Sequence, residues 1–206
     1  MWARAETEIE LFLIRHGKTK ANEEHRYLGK TEEKLSESGK IWIRKEREQK
    51  KYPSCQFVFS SPMIRCKETA ELIYPHQEID VIEEWSEINF GKFEYKTYKE
   101  LEKDPDYIRW IASNGTLPFP EGESREAFIE RTKKGWKHLL EILVKQKKTA
   151  EKIQAAAIVH GGTIMTICSF LEGGEYFDYQ VKNGEGYRCV LQYSKENIRL
   201  LKMERL

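Results

Sequence analysis

Residues 9–17 read IELFLIRHG, and the interpretation of this stretch decides the fold. Ile9 to Ile14 is a short apolar run that stops abruptly at Arg15-His16-Gly17, the pattern of a strand covered on both faces. Two other stretches behave alike. Gln56–Ser60 (QFVFS) ends at Ser61-Pro62, and Ile153–Val159 ends at His160-Gly161-Gly162. Helical stretches separate them. Ser36 to Lys51 is charged around Ile41, Trp42 and Ile43, and Met63 to Ile73 ends at Tyr74-Pro75. A long helix behind a Ser124 cap carries Phe128, Ile129, Trp136, Leu139, Leu140 and Leu143 on one broad face. Another helix is expected over Thr163–Leu171. Glu78–Ile82 reads as a weaker strand. Tyr187–Tyr193 and Ile198–Met203 read as two more, joined around Ser194 to Asn197. Strands alternating with helices predict an α/β layered fold with a mainly parallel sheet.

No repeat or linker divides the chain, so residues 1–206 are expected to form a single domain. Within it Trp85 to Asn114 is aromatic and polar, and Pro118, Pro120 and Gly122 break the chain after it. A lid insertion over about residues 85–122 is the expectation. The composition narrows function further. Charged residues make up 33% of the chain, yet 35 basic residues nearly balance 34 acidic ones, for a net charge of +1. No bulk field therefore draws the protein to nucleic acid or an anionic membrane. Cys55, Cys66, Cys168 and Cys189 are widely spaced without a CxxC pair, which predicts reduced, buried thiols and no metal site. Ile153 to Leu171 lacks Asp, Glu, Lys and Arg over 19 residues, but Gln154, His160, Gly161, Gly162 and Ser169 make a membrane span too expensive. The expected location is the cytoplasm.

In a parallel sheet the binding crevice lies beyond the carboxyl ends of the strands. The clusters at 15–17, 60–65 and 160–162 are thus expected to meet. Two imidazoles and two guanidiniums, Arg15 and Arg65, without an acidic cluster suit a dianion, and phosphate leads. Nearby arginines favour neutral imidazole, which keeps a lone pair for nucleophilic attack. A leaving alkoxide needs a proton. On residue types alone Glu83, Glu84, Glu87 or Glu94 could supply it.

Arg15-His16-Gly17 with Thr19 and Asn22 resembles the RHGxTxxN signature of the histidine phosphatase superfamily, the phosphoglycerate mutase-like proteins. The similarity continues through Arg26–Gly29, Leu35–Gly39, Ser60–Arg65 with Thr69-Ala70, Glu87–Gly91, Pro120–Ser124 and His160–Gly162, and so covers roughly residues 9–200. The resemblance implies a three-layer α/β/α fold with a helical lid. It implies that His16 is the nucleophile that becomes phosphohistidine, and that Arg15, Arg65 and His160 clamp phosphate. Asn22 would assist, Gly29 and Gly161 would border the substrate phosphate, and Glu87 would be the proton donor. It further implies no metal and no organic cofactor.

The expected activity is hydrolysis of a small-molecule phosphate ester, with α-ribazole phosphate as one candidate. Phosphoglycerate mutase activity and a non-catalytic phosphate-binding role are the alternatives. Mutases supply adjacent arginines in the lid, whereas Arg109 is the only arginine between Gly91 and Glu121. The α-ribazole phosphatase-like and broad-specificity branch carries Trp-Glu-Gly where this chain has Phe93-Glu94-Tyr95, and loss of that glycine is expected to reshape the lid. Glu32 or Glu33 replaces a usual aspartate, with an expected effect on packing. Glu121 and Glu123 are expected to load the positive end of the long helix.

Overall fold

Along β1 (Thr7–Arg15) the side chains alternate between two apolar layers. Ile9, Leu11 and Leu13 enter one cluster, while Phe12 and Ile14 enter another. The computed structural model describes residues 7–146, 152–194 and 197–206. After β1 come α1 (Lys20–Glu23), α2 (Glu37–Glu48), β2 (Phe57–Ser60), α3 (Ile64–Ile73) and β3 (Ile79–Val81). Two 3-10 turns, Glu83–Trp85 and Gly91–Phe93, lead to α4 (Tyr98–Leu101) and α5 (Pro105–Ala112). The chain then forms α6 (Arg125–Gln146), β4 (Lys152–Val159), α7 (Gly161–Glu172), β5 (Gly186–Ser194) and β6 (Asn197–Arg205).

The described strands form one sheet in the order β3-β2-β4-β1-β5-β6. The first four run parallel, and β5 and β6 add antiparallel partners at one edge. Trp136, Leu139 and Leu143 of α6 and Ile164 and Ile167 of α7 cover one face. Ile43 of α2 and Cys66, Ala70 and Ile73 of α3 cover the other. This is the expected α/β/α layering. Central β4 carries Ala155, Ala156 and Ala157, all fully buried. Alanine has little strand preference, but burial between two helical layers overrides it.

The Ser124 cap is in place, with its Oγ accepting from the Ala127 N–H at 3.1 Å. Within α2, Ile43 is buried whereas Ile41 is exposed. The helix expected over Thr163–Leu171 starts two residues earlier, with Gly161 and Gly162 in the first turn of α7 and His160 as its extended N-cap residue. Low helix propensity reads as a break, but a close approach explains the glycine: a Cβ on Gly162 would lie 2.9 Å from Glu87 Oε1 and 3.0 Å from Phe128. The charge-free stretch 153–171 is therefore mostly β4 followed by α7. Among the described residues no helix is long and apolar enough to cross a membrane. All four cysteines are free and buried. The junction expected around Ser194 to Asn197 includes residues 195–196, which lie outside the described residues.

Candidate active site

Register brings the two histidines together. β1 and β4 pair in parallel with Arg15 opposite Val159, so the next residue of each strand, His16 and His160, leaves the sheet at the same level. Their rings meet edge to face with centroids 5.2 Å apart. β2 pairs with β4 through Ser60 and Ile158, which sets Ser61 beside His160. Ser61 Oγ and His160 Nε2 share a 2.7 Å hydrogen bond. Arg65 enters from the first turn of α3 and is fully buried.

The His16 tautomer follows from its partner. Nδ1 lies 2.7 Å from the Gly17 carbonyl, which can only accept, so Nδ1 carries the proton and Nε2 keeps the lone pair. Burial, followed by the charges of Arg65 and Arg15, holds this imidazole well below its ordinary value of 6.5. His160 is depressed by burial and then by Arg65. Both rings are neutral at physiological pH. Glu87 faces His160 Nδ1 at 3.9 Å. Burial pushes its carboxyl up, against the pull of its hydrogen bond to Ile88 N–H and of Arg65 and Arg15. With a neutral His160, this approach is no ion pair.

These directions make a stability prediction. On acidification the unfolded chain takes up protons near pH 6.5 that the buried histidines refuse. Stability is therefore present above that value and lost as pH falls through the depressed folded-state values. In a Glu87→Gln background, which removes the opposing titration of that carboxyl, a denaturant midpoint should drop between about pH 7.5 and about pH 5.5. An unchanged midpoint would contradict neutral burial.

Arg15 donates Nη1 to the Val181 carbonyl at 2.7 Å, and Arg65 donates to the carbonyls of Thr31 (3.0 Å) and Gly29 (2.8 Å). Arg15 Nε and Arg65 Nε are buried without a hydrogen-bond partner among the described residues. Two such donors beside neutral imidazoles mark a site for an anion. Among the described residues no group of three or more His, Cys, Asp or Glu is arranged to hold a metal ion.

Asn22 and Gly29 take more structural positions than the resemblance implies. Asn22 Oδ1 caps α1 at the Thr19 N–H and accepts from Asn183 Nδ2 at 3.1 Å. The Gly29 N–H is held by Glu94 rather than left free. Gly161 lies against Arg15, where a Cβ would be an ordinary 3.6 Å from the guanidinium.

Several supporting residues escape sequence reading. Asn183 Nδ2 donates to the His16 carbonyl at 3.1 Å, across 167 positions of chain. Arg131 grips Glu123 through two nitrogens and donates to the carbonyls of Glu84 and Ser86, pinning the backbone next to Glu87. Glu123 thus serves this pair instead of the helix end. Glu94 accepts from the N–H groups of Gly29, Lys30 and Phe90 and from the Thr31 hydroxyl. It fixes the same loop whose carbonyls hold Arg65. Glu94→Ala should cost about 2 kcal/mol in a denaturant melt and lower turnover through a loosened Arg65. A variant as stable as the parent would refute this linkage.

Tyr95 stands where the resemblance expects glycine. Tyr95 keeps φ at +61°, the left-handed region natural to glycine, while its N–H bonds to the Tyr27 carbonyl at 2.7 Å. Its ring turns outward, with the hydroxyl donating to Glu33 and Arg26 lying over its face. Glu32 receives the Ile64 N–H at the start of α3, in line with a packing role.

Above this centre opens a cavity of about 860 Å³ whose floor includes Arg15, Glu87, Gly161 and Gly162. His16 and His160 lie beneath, nearly closed to water. A more polar cavity of about 920 Å³ reaches Arg15 from the side of Asn22 and Asn183.

A model described as the histidine phosphatase superfamily (branch 1) matches residues 11–205. The chain belongs to that superfamily. Solved histidine phosphatase-fold structures agree. An alpha-ribazole phosphatase from Shigella flexneri superposes with a TM-score of 0.75 at 22% identity, covering 93% of this chain and 94% of that one, which speaks to fold alone. A mutant phosphoserine phosphatase from Entamoeba histolytica, bound to phosphoserine, gives 0.70 at 27% identity over 95% and 96% of the two chains. A phosphoglycerate mutase from Thermus thermophilus gives 0.63 at 28% identity over 96% and 99%.

Proposed function

We propose that this histidine phosphatase superfamily member hydrolyses a small phosphate monoester through a phosphohistidine at His16. The observation that carries the reading is the neutral His16 ring, its Nδ1 proton held by the Gly17 carbonyl, beside the guanidiniums of buried Arg65 and half-buried Arg15. In the first step His16 Nε2 forms a bond to phosphorus as the ester P–O bond breaks. Glu87, whose protonated form burial favours, gives its proton to the departing oxygen and releases an alcohol. In the second step the Glu87 carboxylate takes a proton from water as that oxygen bonds to phosphorus. The N–P bond breaks, inorganic phosphate leaves, and both groups are restored.

Arg15, Arg65 and the N-terminal N–H groups of α7 meet the negative charge spread over the transferring phosphoryl group. Asn22, Gly29 and Gly161 border this position, and His160 completes the clamp as a neutral ring. The segment over about residues 85–122 acts as a lid within one domain. No step calls for a metal or organic cofactor, so chelator should leave phosphate release unchanged.

Hydrolysis is favoured over mutase action by Arg109. This lone lid arginine pairs with Asp106 and its side chain is 72% exposed, so it does not face the cavity. α-Ribazole phosphate and phosphoserine are both candidate substrates by likeness to named relatives. Brief reaction with a labelled phosphomonoester, followed by acid and alkali treatment, tests the proposal. An acid-labile, alkali-stable protein phosphate is expected. A coupled assay showing isomerisation without phosphate release would decide for a mutase, and ester binding without any turnover for a binding protein.

A further inference from the structure

The cavity above Glu87 is much larger than a phosphoryl group needs, and most of its wall is apolar. Tyr27, Phe90, Phe119 and Trp110 line one side as a chain of rings that fix one another. Tyr27 meets Phe90 edge-on at 5.3 Å, Phe90 meets Phe119 edge-on at 4.9 Å, and Phe119 lies tilted against Trp110 at 4.8 Å. Such a wall is preformed and loses little freedom when a flat group settles on it. Met165 and Tyr176 face it from the α7 side. At the mouth stand Ile111 and Phe177, 49% and 56% exposed, large apolar groups that the chain's own core does not cover.

Charge is sparse in this space. Apart from Arg15 and Glu87 at the floor, Arg125 is the charged side chain in the described lining, and Asn114 and Gln180 add neutral polarity. An ammonium on the leaving group would find no carboxylate there except buried Glu87. A polyhydroxylated body would leave most of its hydroxyls against rings, without partners.

We propose that this cavity selects phosphate monoesters whose alcohol carries a bulky, flat aromatic body over esters of small polar alcohols such as amino alcohols, hydroxy acids and sugars. The inference rests on the reading that phosphate is transferred at His16, and it adds the class of leaving group.

The test compares 2-(1-naphthyl)ethyl phosphate with propyl phosphate and O-phosphoserine. All three leave as primary alkoxides, so the chemistry is matched and the body of the ester is what differs. The naphthyl ester should lead in kcat/KM by about 30-fold or more. The exposed substitutions Ile111→Asp and Phe177→Ser, which spare the core, should each cut that lead several-fold, chiefly through KM. In parallel, calorimetry compares 2-(1-naphthyl)ethylphosphonate with propylphosphonate, which need no turnover. Phosphate release with a ratio near one, or a ratio unmoved in both mouth variants, overturns the leaving-group class and leaves the phosphatase reading intact. Absence of turnover and of phosphoenzyme with every ester overturns the phosphatase reading. In that case tighter binding of the naphthyl phosphonate still supports the cavity assignment, and equal binding of the two overturns it.

Discussion

Replacing His16 by alanine is expected to lower hydrolysis of every phosphomonoester by about 10⁴-fold or more and to abolish the acid-labile phosphoenzyme. The size of the effect follows from the site. His160, the other imidazole of the pair, has its Nε2 engaged with Ser61 Oγ at 2.7 Å, so its lone pair is not free in the same way. Arg15 and Arg65 would still bind phosphate in the variant, because their anchors at Val181, Thr31 and Gly29 do not involve His16. Inorganic phosphate should therefore bind within a few-fold of the parent while turnover disappears. A His16→Ala protein that retains normal turnover would end the phosphohistidine mechanism.

Glu87→Gln is the second large effect, and it should divide substrates by leaving group. Alkyl esters need a proton on the departing oxygen and should slow by about 10²- to 10⁴-fold. An activated aryl phosphate leaves without that help and should lose far less. Equal loss on both would rule out the acid role. The pH behaviour has a definite sign. The carboxyl is held above 4.5 mainly by burial, so the proton-donating form persists to higher pH and its supply fails as pH rises through the raised value. The alkaline limb of the parent's profile with alkyl esters should vanish in the variant. Stability moves the other way. Between 4.5 and the raised value the folded protein holds a proton at Glu87 that the unfolded chain releases, so this group's own contribution to stability falls as pH rises, opposite in sign to that of the histidines. Glutamine removes this penalty, and the variant should show a higher denaturation midpoint near neutrality, read in the same melts as activity.

Arg15, His16, Arg65 and His160 were legible because each stands where an apolar run stops or a helix begins, and strand ends in a parallel sheet converge. Strand register then did the rest, since Arg15 opposite Val159 levels the two histidines. The residue types left Glu83, Glu84, Glu87 and Glu94 equivalent as acids, and only resemblance preferred Glu87. Burial separates them: Glu87 is closed in beside His160, whereas Glu94 spends its oxygens on the N–H groups of Gly29, Lys30 and Phe90. Asn183 and Arg131 carry no local signal, because their contacts span 167 and 45–47 positions and arise only on folding. The HGG triplet misled for a related reason. A glycine pair looks like a break until the Glu87 carboxylate is seen occupying the room a side chain would fill.

The rings along the cavity belong to a hydrophobic cluster of their own, built on Phe93, Leu101, Tyr107, Phe119 and Phe128, apart from the two clusters that clasp the sheet. On the proposed reading, reactivity and taste are thereby written in different clusters of the molecule. Descendants of this chain could trade one appetite for another by repacking the smaller cluster, while the machinery that cleaves the ester passes on unaltered.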